Sequence, residues 1–335
     1  LLPDPPEALP PAGAPSPGEF GLIARHFRPL AAPEALGLLD DAALLDPPAG
    51  RTLVLAADAM VEGVHFLPTD PPDTVSRRLL RTNLSDLAAM GAEPLGYLLT
   101  TAFPRGTAES VVAGFAAGLA EDQRIFGLQV LGGDTVSTPG PACHSLTILG
   151  TVPPGAALRR DGARAGDDVW VSGSIGDGAL GLAVGQERLP PDPEGYLLRR
   201  YRLPDPRLAL GVALRGVARA AMDVSDGLVQ DLGHLCHAAG IGATIEMGRV
   251  PLSGPARSAV ADDDSALLPL LAGGDDYELL FAADPADAPR VEEASRRSGI
   301  PVARIGRFRA GPASVTVLDR SGRAVSVPRG GWSHF

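Results

Sequence analysis

Leu53–Phe66, LVLAADAMVEGVHF, joins an apolar run to a set of polar groups within fourteen residues. Leu53, Val54 and Leu55 have the composition of a short strand. Asp58 comes where the apolar run stops, and Glu62, Gly63 and His65 follow in one short loop. An Asp at the end of a buried strand stands at the mouth of a sheet, where open α/β folds place ligands. An Asp that merely closes a turn has the same local signature. Similar acid-bearing junctions recur along the chain and favour the first reading.

Leu128–Leu131 reads as a strand ending in Gly132-Gly133-Asp134-Thr135, again a sharp turn with an exposed acid, its glycines permitting close backbone approach to a ligand. Ala221–Leu228, AMDVSDGL, sets Asp223 and Asp226 on either side of Ser225. A helix is expected to run on to Ala239 and stop at Gly240, with Ser225 or Asp226 able to cap it. Gly273–Phe281, GGDDYELLF, joins a glycine turn and acids to a strand. Arg81–Ala92, RTNLSDLAAMGA, predicts a helix with Asn83, Ser85 and Asp86 in its first turn and Gly91 as its stop. Asp40 and Asp41 lie inside an apolar run; they read either as one carboxylate facing a buried site or as a solvated turn. His234 and His237 read as a surface helix face rather than a zinc site, and Asp262–Asp264 as a solvated turn. Trp332, in the terminal GGWSHF, reads as a core plug or an aromatic lid.

With 335 residues, two domains are expected. Residues 1–17 are Pro-rich and read as a disordered tail, and Pro153-Pro154-Gly155 is the candidate boundary between domains at 18–152 and 153–335. Leu189–Pro206, rich in Pro and Arg, reads as an extended linker-like loop. A net charge of −11 with no basic block argues against nucleic-acid binding and suits a protein that gathers divalent cations. No apolar run is long enough for a membrane span, and the N-terminal residues lack the basic and apolar regions of a signal peptide. Cys143 and Cys236 form no CxxC pair, so a reducing cytoplasm fits best. All 29 basic residues are Arg. That excludes a Walker A lysine, a kinase strand lysine and a Schiff-base lysine, leaving metals and Arg to meet any phosphate.

The acids at strand and helix junctions are Asp40/Asp41, Asp58, Asp86, Asp134, Asp223/Asp226 and Asp275/Asp276. Should several converge, their repulsion requires cations. Carboxylates with few His or Cys neighbours select hard ions, so Mg²⁺ shared with substrate phosphates is expected. The residues alone therefore point to Mg²⁺-dependent phosphoryl chemistry on a nucleotide, without a P-loop.

The ordered set GEFGLIARHF, DDAALL, DAMVEGVHF, NLSDLAAMGAEP, GGDT, DVSDGL, GGDDYELLF and GGWSHF strongly resembles the thiamine-monophosphate kinases of the aminoimidazole-ribonucleotide-synthetase-like superfamily, from Gly18 to Phe335. The resemblance implies an α/β (α+β mixed) fold of two domains, each a mixed sheet covered by helices, and a homodimer through the N-terminal domains. It implies ATP-dependent phosphorylation of thiamine monophosphate to thiamine diphosphate. It implies magnesium ligands at Asp41, Asp58, Asp86, Asp134, Asp223 and Asp226, several ions per site. It places ATP contacts at Gly133, Asp134, Arg160 and Ser225, and thiamine-phosphate contacts at His65, Asp275 and Trp332. The chain departs from the family at Leu39, where a Gly is usual. It departs again at Ala56 and Ala57, where Ser or Thr oxygens are frequent, so a metal contact there would use backbone carbonyls. Asp275 stands where the family commonly has Glu. The alternatives are a sister ATP-dependent enzyme acting on another acceptor, which would lack VEGVHF paired with NLSDLAAMGA, and a non-catalytic Mg-nucleotide binding protein.

Overall fold

The computed structural model describes residues 18–260, 264–327 and 330–332. The Pro-rich residues 1–17, Asp262, Asp263 and the closing Ser333–Phe335 lie outside the described residues.

Two mixed sheets organise the chain. The first has four strands in the order β1 (Thr52–Val61), β4 (Cys143–Val152), β2 (Glu93–Pro104), β3 (Val130–Thr138). Only β2 and β3 are parallel. Helices α2 (Pro72–Ala89) and α3 (Glu109–Phe126) cover one face of it, following α1 (Gly18–Leu22) and a run of short turns. The second has seven strands in the order β11 (Ala324–Val325), β10 (Val315–Leu318), β7 (Gly242–Glu246), β9 (Val302–Arg309), β5 (Asp168–Ser172), β8 (Leu279–Ala283), β6 (Ala220–Asp223). Helices α4 (Asp177–Gly185), α7 (Leu228–Ala239), α8 (Gly254–Val260) and α9 (Asp264–Leu271) enclose one core against it, while α6 (Leu208–Ala213) and α10 (Ala288–Ser298) enclose another.

Alternation along the first sheet explains its two faces. Val54, Met60, Leu146, Ile148 and Leu99 point to the helices and are buried. Leu53, Leu55, Leu98 and Val136 point the other way and stay exposed, so one face carries an apolar surface that no helix among the described residues covers.

Helix α2 belongs to both halves. Leu79, Leu80, Leu84 and Leu87 fill the first core, whereas Ala88 and Ala89 pack with Leu210, Leu214 and Phe281 of the second half. The approach is close: a Cβ on Gly211 would lie 2.1 Å from the Ala88 carbonyl oxygen.

Four local expectations are corrected. Asp58 lies inside β1 rather than at its end, because the strand continues through small, alternating residues to Val61. Gly132, Gly133 and Asp134 lie within β3, not in a turn; Gly133 is needed there because a Cβ would sit 1.7 Å from the Leu99 carbonyl oxygen. The helix carrying Asn83, Ser85 and Asp86 starts at Pro72, so those polar residues sit in its interior, with Asn83 and Ser85 buried. Leu189–Pro206 contains a helix, α5 (Tyr196–Arg202), started by the Asp192 carboxylate, which accepts the amides of Tyr196 and Leu197 at 2.8 and 2.9 Å, and anchored by buried Leu197 and Tyr201.

Candidate active site

Between the two sheets lies a cleft of about 1530 Å³. β1 brings Asp58 on its helix-covered face. α2 brings Arg78, Thr82 and Asp86, four residues apart and therefore on one side of the helix. The end of β6 brings Asp223, and the loop after it Ser225 and Asp226. Asp275 and Tyr277 come from the loop before β8, His65 from the loop after β1, and Trp332 from the C-terminal segment.

Placement is specific. The Asp58 amide donates to Asn83 Oδ1 at 3.2 Å, tying β1 to α2. Ser85 Oγ donates to Asp223 Oδ2 at 2.7 Å, tying α2 to the second sheet. The Asp275 and Tyr277 amides donate to the carbonyls of Ser225 and Val224, each at 2.8 Å, so the GGDDY loop lies along the DVSD loop. Asp275 and Tyr277 both adopt left-handed backbone, φ 72° and 51°, which Asp tolerates better than most residues. Arg78, buried, donates to Asp275 Oδ1 at 2.6 Å and to the Tyr201 carbonyl. His65 accepts the Val61 amide on Nδ1 at 2.9 Å, which leaves the ring proton on Nε2.

The helix after DVSDG is capped differently from expectation. Neither Ser225 nor Asp226 caps α7 through its side chain. Instead Asp231 reaches back, one carboxylate oxygen accepting the amides of Ser225, Asp226 and Gly227 at 3.0–3.1 Å. Asp226 is thereby released to face the cleft. Asp226, Asp231 and His234 bring one ligand atom each within 4.8 Å of one another, with His234 exposed.

Burial and mutual repulsion act together on these acids. Burial, then the neighbouring Asp223 charge, pushes Asp58 up to about 6, against a hydrogen bond from Thr82. Burial, then Asp223 and Asp58, pushes Asp86 up to about 8, with Arg160 pulling the other way. Burial raises Asp223 too, and Asp226 adds to it, while Ser85 and Arg160 oppose the rise. Such a set is short of positive charge. All its donors are hard oxygens, and the raised carboxyls report that a divalent cation would be favoured there.

Other candidates fall outside the lining of this cleft. Asp41 is exposed in the segment before β1. Asp134 sits on β3, at the opposite edge of the sheet from β1 and, paired with Thr100, on the face without helices. Gly133 lies beside it. Arg160 does not line the cleft, but its charge reaches Asp86 and Asp223. Arg78, Thr82, Tyr201 and Tyr277 line the cleft and were not read from the sequence; the spacing of four back from Asp86 was the available signal for the first two.

Residues 39–152 match the N-terminal domain, and residues 164–319 the C-terminal domain, of AIR synthase related proteins. The thiamine-monophosphate kinase of Caulobacter vibrioides is 47% identical over 98% of this chain and 94% of its own length. The crystal structure of that kinase from Stenotrophomonas maltophilia K279a has a TM-score of 0.78 at 37% identity, covering 86% of this chain and 91% of the other. AaThiL complexed with AMPPCP and TMP gives 0.76 at 30%, covering 95% and 97%. With two AIR-synthase-type domains and relatives matched along nearly its whole length, the chain belongs to the thiamine-monophosphate kinase family.

Proposed function

We propose that this protein transfers the γ-phosphate of ATP to thiamine monophosphate, giving thiamine diphosphate and ADP. The observation that carries the reading is the meeting of Asp58, Asp86, Asp223 and Asp226, drawn from both halves of the chain, in one cleft beside Asp275, His65 and Trp332. AaThiL, bound to AMPPCP and TMP, supports it by likeness.

The acceptor oxygen belongs to a phosphate already ionised near neutral pH, so no strong protein base is needed. That oxygen attacks the γ-phosphorus as the bond to the β–γ bridging oxygen breaks, and ADP leaves with the electron pair. The chain's task is to hold two polyanions in line. Asp58, Asp86, Asp223 and Asp226 would hold Mg²⁺, which when bound supplies charge neutralisation for both phosphates. Asp275 and Trp332 suit a cationic heteroaromatic acceptor, one as a carboxylate and the other as a stacking face. Ser225 and Arg160 are assigned to ATP.

We further propose a homodimer through the bare face of the four-stranded sheet, where Leu53, Leu55, Leu98 and Val136 lie exposed. Gly133, Asp134 and Asp41 are assigned to nucleotide and metal. For Asp134, on the far edge and far face from Asp58, that assignment calls for a neighbouring copy whose β3 meets β1. Leu55→Arg should then lower both the sedimentation coefficient and the activity. We take 18–152 and 153–335 as the domains. A cytoplasmic location goes with two free cysteines, and no described helix is long and apolar enough to cross a membrane.

A coupled assay tests the function. ADP release should require thiamine monophosphate and Mg²⁺ together and be absent with free thiamine. Turnover with a different phosphorylated acceptor would favour a sister enzyme, and nucleotide binding without turnover a binding protein.

A further inference from the structure

The C-terminal segment carrying Trp332 lies against the DVSDG loop, and one side chain joins the two. Gln230, in the first turn of α7, donates from Nε2 to the Trp332 carbonyl at 2.7 Å and to Asp226 Oδ2 at 3.1 Å. A primary amide has two N–H donors, so both are used. Its own backbone amide donates to the Gly330 carbonyl at 3.0 Å, and the Trp332 amide donates to the Asp226 carbonyl at 3.0 Å. The strap is close enough that a Cβ on Gly331 would lie 2.6 Å from Gln230 Cβ and 2.7 Å from the Asp226 carbonyl oxygen. Meanwhile Trp332 remains 54% exposed. Burial therefore does little to orient the ring, and the hydrogen bonds of the strap fix the backbone from which it projects.

We propose that Gln230 is a positioning residue. Its amide fastens the strap to the loop that presents Asp226, and so fixes Trp332 at the mouth of the cleft relative to the acidic cluster. The inference rests on the acceptor-side assignment of Trp332 made above. It adds a residue, half-buried and off the cleft lining, whose effect falls on the acceptor through Trp332. The bonds to Gly330 and from Trp332 are backbone bonds, so loss of the side-chain amide should loosen the strap without unfolding the helix.

Gln230→Leu leaves a shorter, apolar side chain and removes both donors; Gln230→Glu sets a carboxylate against Asp226. Trp332 and the buried Trp170 are the only tryptophans, so a change in fluorescence anisotropy or acrylamide quenching of the ligand-free protein reads the strap directly. Gln230→Leu should increase quenching and lower anisotropy. It should raise the KM for thiamine monophosphate about 5- to 10-fold, the loss of one or two modest hydrogen bonds, with a smaller change in the KM for ATP. Gln230→Glu should do more, because like charges meet. With Trp332→Ala as the second variant, the double variant should be no worse for the acceptor than Trp332→Ala alone. Unchanged quenching in Gln230→Leu, an additive double variant, or equal changes in both KM values would overturn the proposal. If Trp332→Ala leaves the acceptor KM unmoved, the acceptor-side assignment of Trp332 fails instead, and the quenching result alone then decides the role of Gln230.

Discussion

Asp223 and Glu278 are both buried carboxylates, on chain segments that run side by side, and they behave in opposite ways. Asp223 ends β6 and Glu278 immediately precedes β8, with the Val224 amide donating to the Glu278 carbonyl at 2.8 Å. Burial alone would raise Glu278, yet Arg207, Arg200 and Ser172 hold it below the usual range. Arg207 donates to both its oxygens, at 2.5 and 2.7 Å, Arg200 to one at 3.1 Å and Ser172 to the other at 2.6 Å. Asp223 has one side-chain donor, Ser85, and acidic neighbours at Asp58, Asp86 and Asp226; it is raised. Equal burial thus serves two ends. Where the fold supplies its own counter-charge, a carboxylate is a structural tie. Where its counter-charge is no closer than Arg160, the carboxylates are raised instead.

Removing each kind of carboxylate is the strongest way to break this comparison. Asp223→Asn or Asp58→Asn should cut turnover at least ~100-fold, as displaced reacting groups do, while the variant stays folded by circular dichroism; normal turnover in either would remove the cluster from the reaction. Glu278→Gln should do the reverse. It leaves two arginines facing a neutral amide and should cost about 3–5 kcal/mol in chemical denaturation, with loss of activity following loss of fold.

The next effect is a difference in pH slope. Asp58 and Asp86 bind protons more tightly folded than unfolded, at about 6 and about 8 against 3.8. Their contribution to stability is therefore present below about 4 and declines as pH rises toward 8. Glu278 is lowered, so its contribution holds above the unfolded value and is lost only on acidification below it. Metal-free protein should melt lower at pH 8 than at pH 6, Mg²⁺ should raise the midpoint more at pH 8, and Asp86→Asn should flatten both trends. A midpoint insensitive to Mg²⁺ at pH 8 would contradict the reading of the cleft.

The smallest effect sharpens the same point with a base. His144 is buried among Phe66, Phe103 and Phe115, and burial lowers it to about 4 from 6.5. Its contribution is complete above about 6.5 and is lost as pH falls toward 4. His144→Leu should remove about 2 kcal/mol of that pH dependence, measured as the variant-minus-wild-type difference between pH 7 and pH 4.5.

Much of the candidate site was legible because its chemistry is local. NLSD, DVSDG and GGDDY mark short segments that each present an acid, and the absence of lysine pointed to metals and arginine before any geometry was known. The helix expected to stop at Gly240 does so, with Gly240 ending α7 in the left-handed conformation. Capping was misread at α7 because three candidate carboxylates lie within nine residues, and only the folded loop decides that Asp231, not Asp226, turns back to the amides. α5 was missed because the Pro and Arg around it outweighed Leu197 and Tyr201, whose burial depends on α2 and α4.

By itself, then, the amino-acid order specified which residues carry charge, how they are grouped, and to which family the ordered motifs belong. It could not tell which acids share a space. Strand alternation and helix period assign side chains to faces, but which faces meet is set by long-range packing. Helix α2 lies in two cores at once, and that places Asp86 between Asp58 of one sheet and Asp223 of the other while Asp134 is left on the opposite edge.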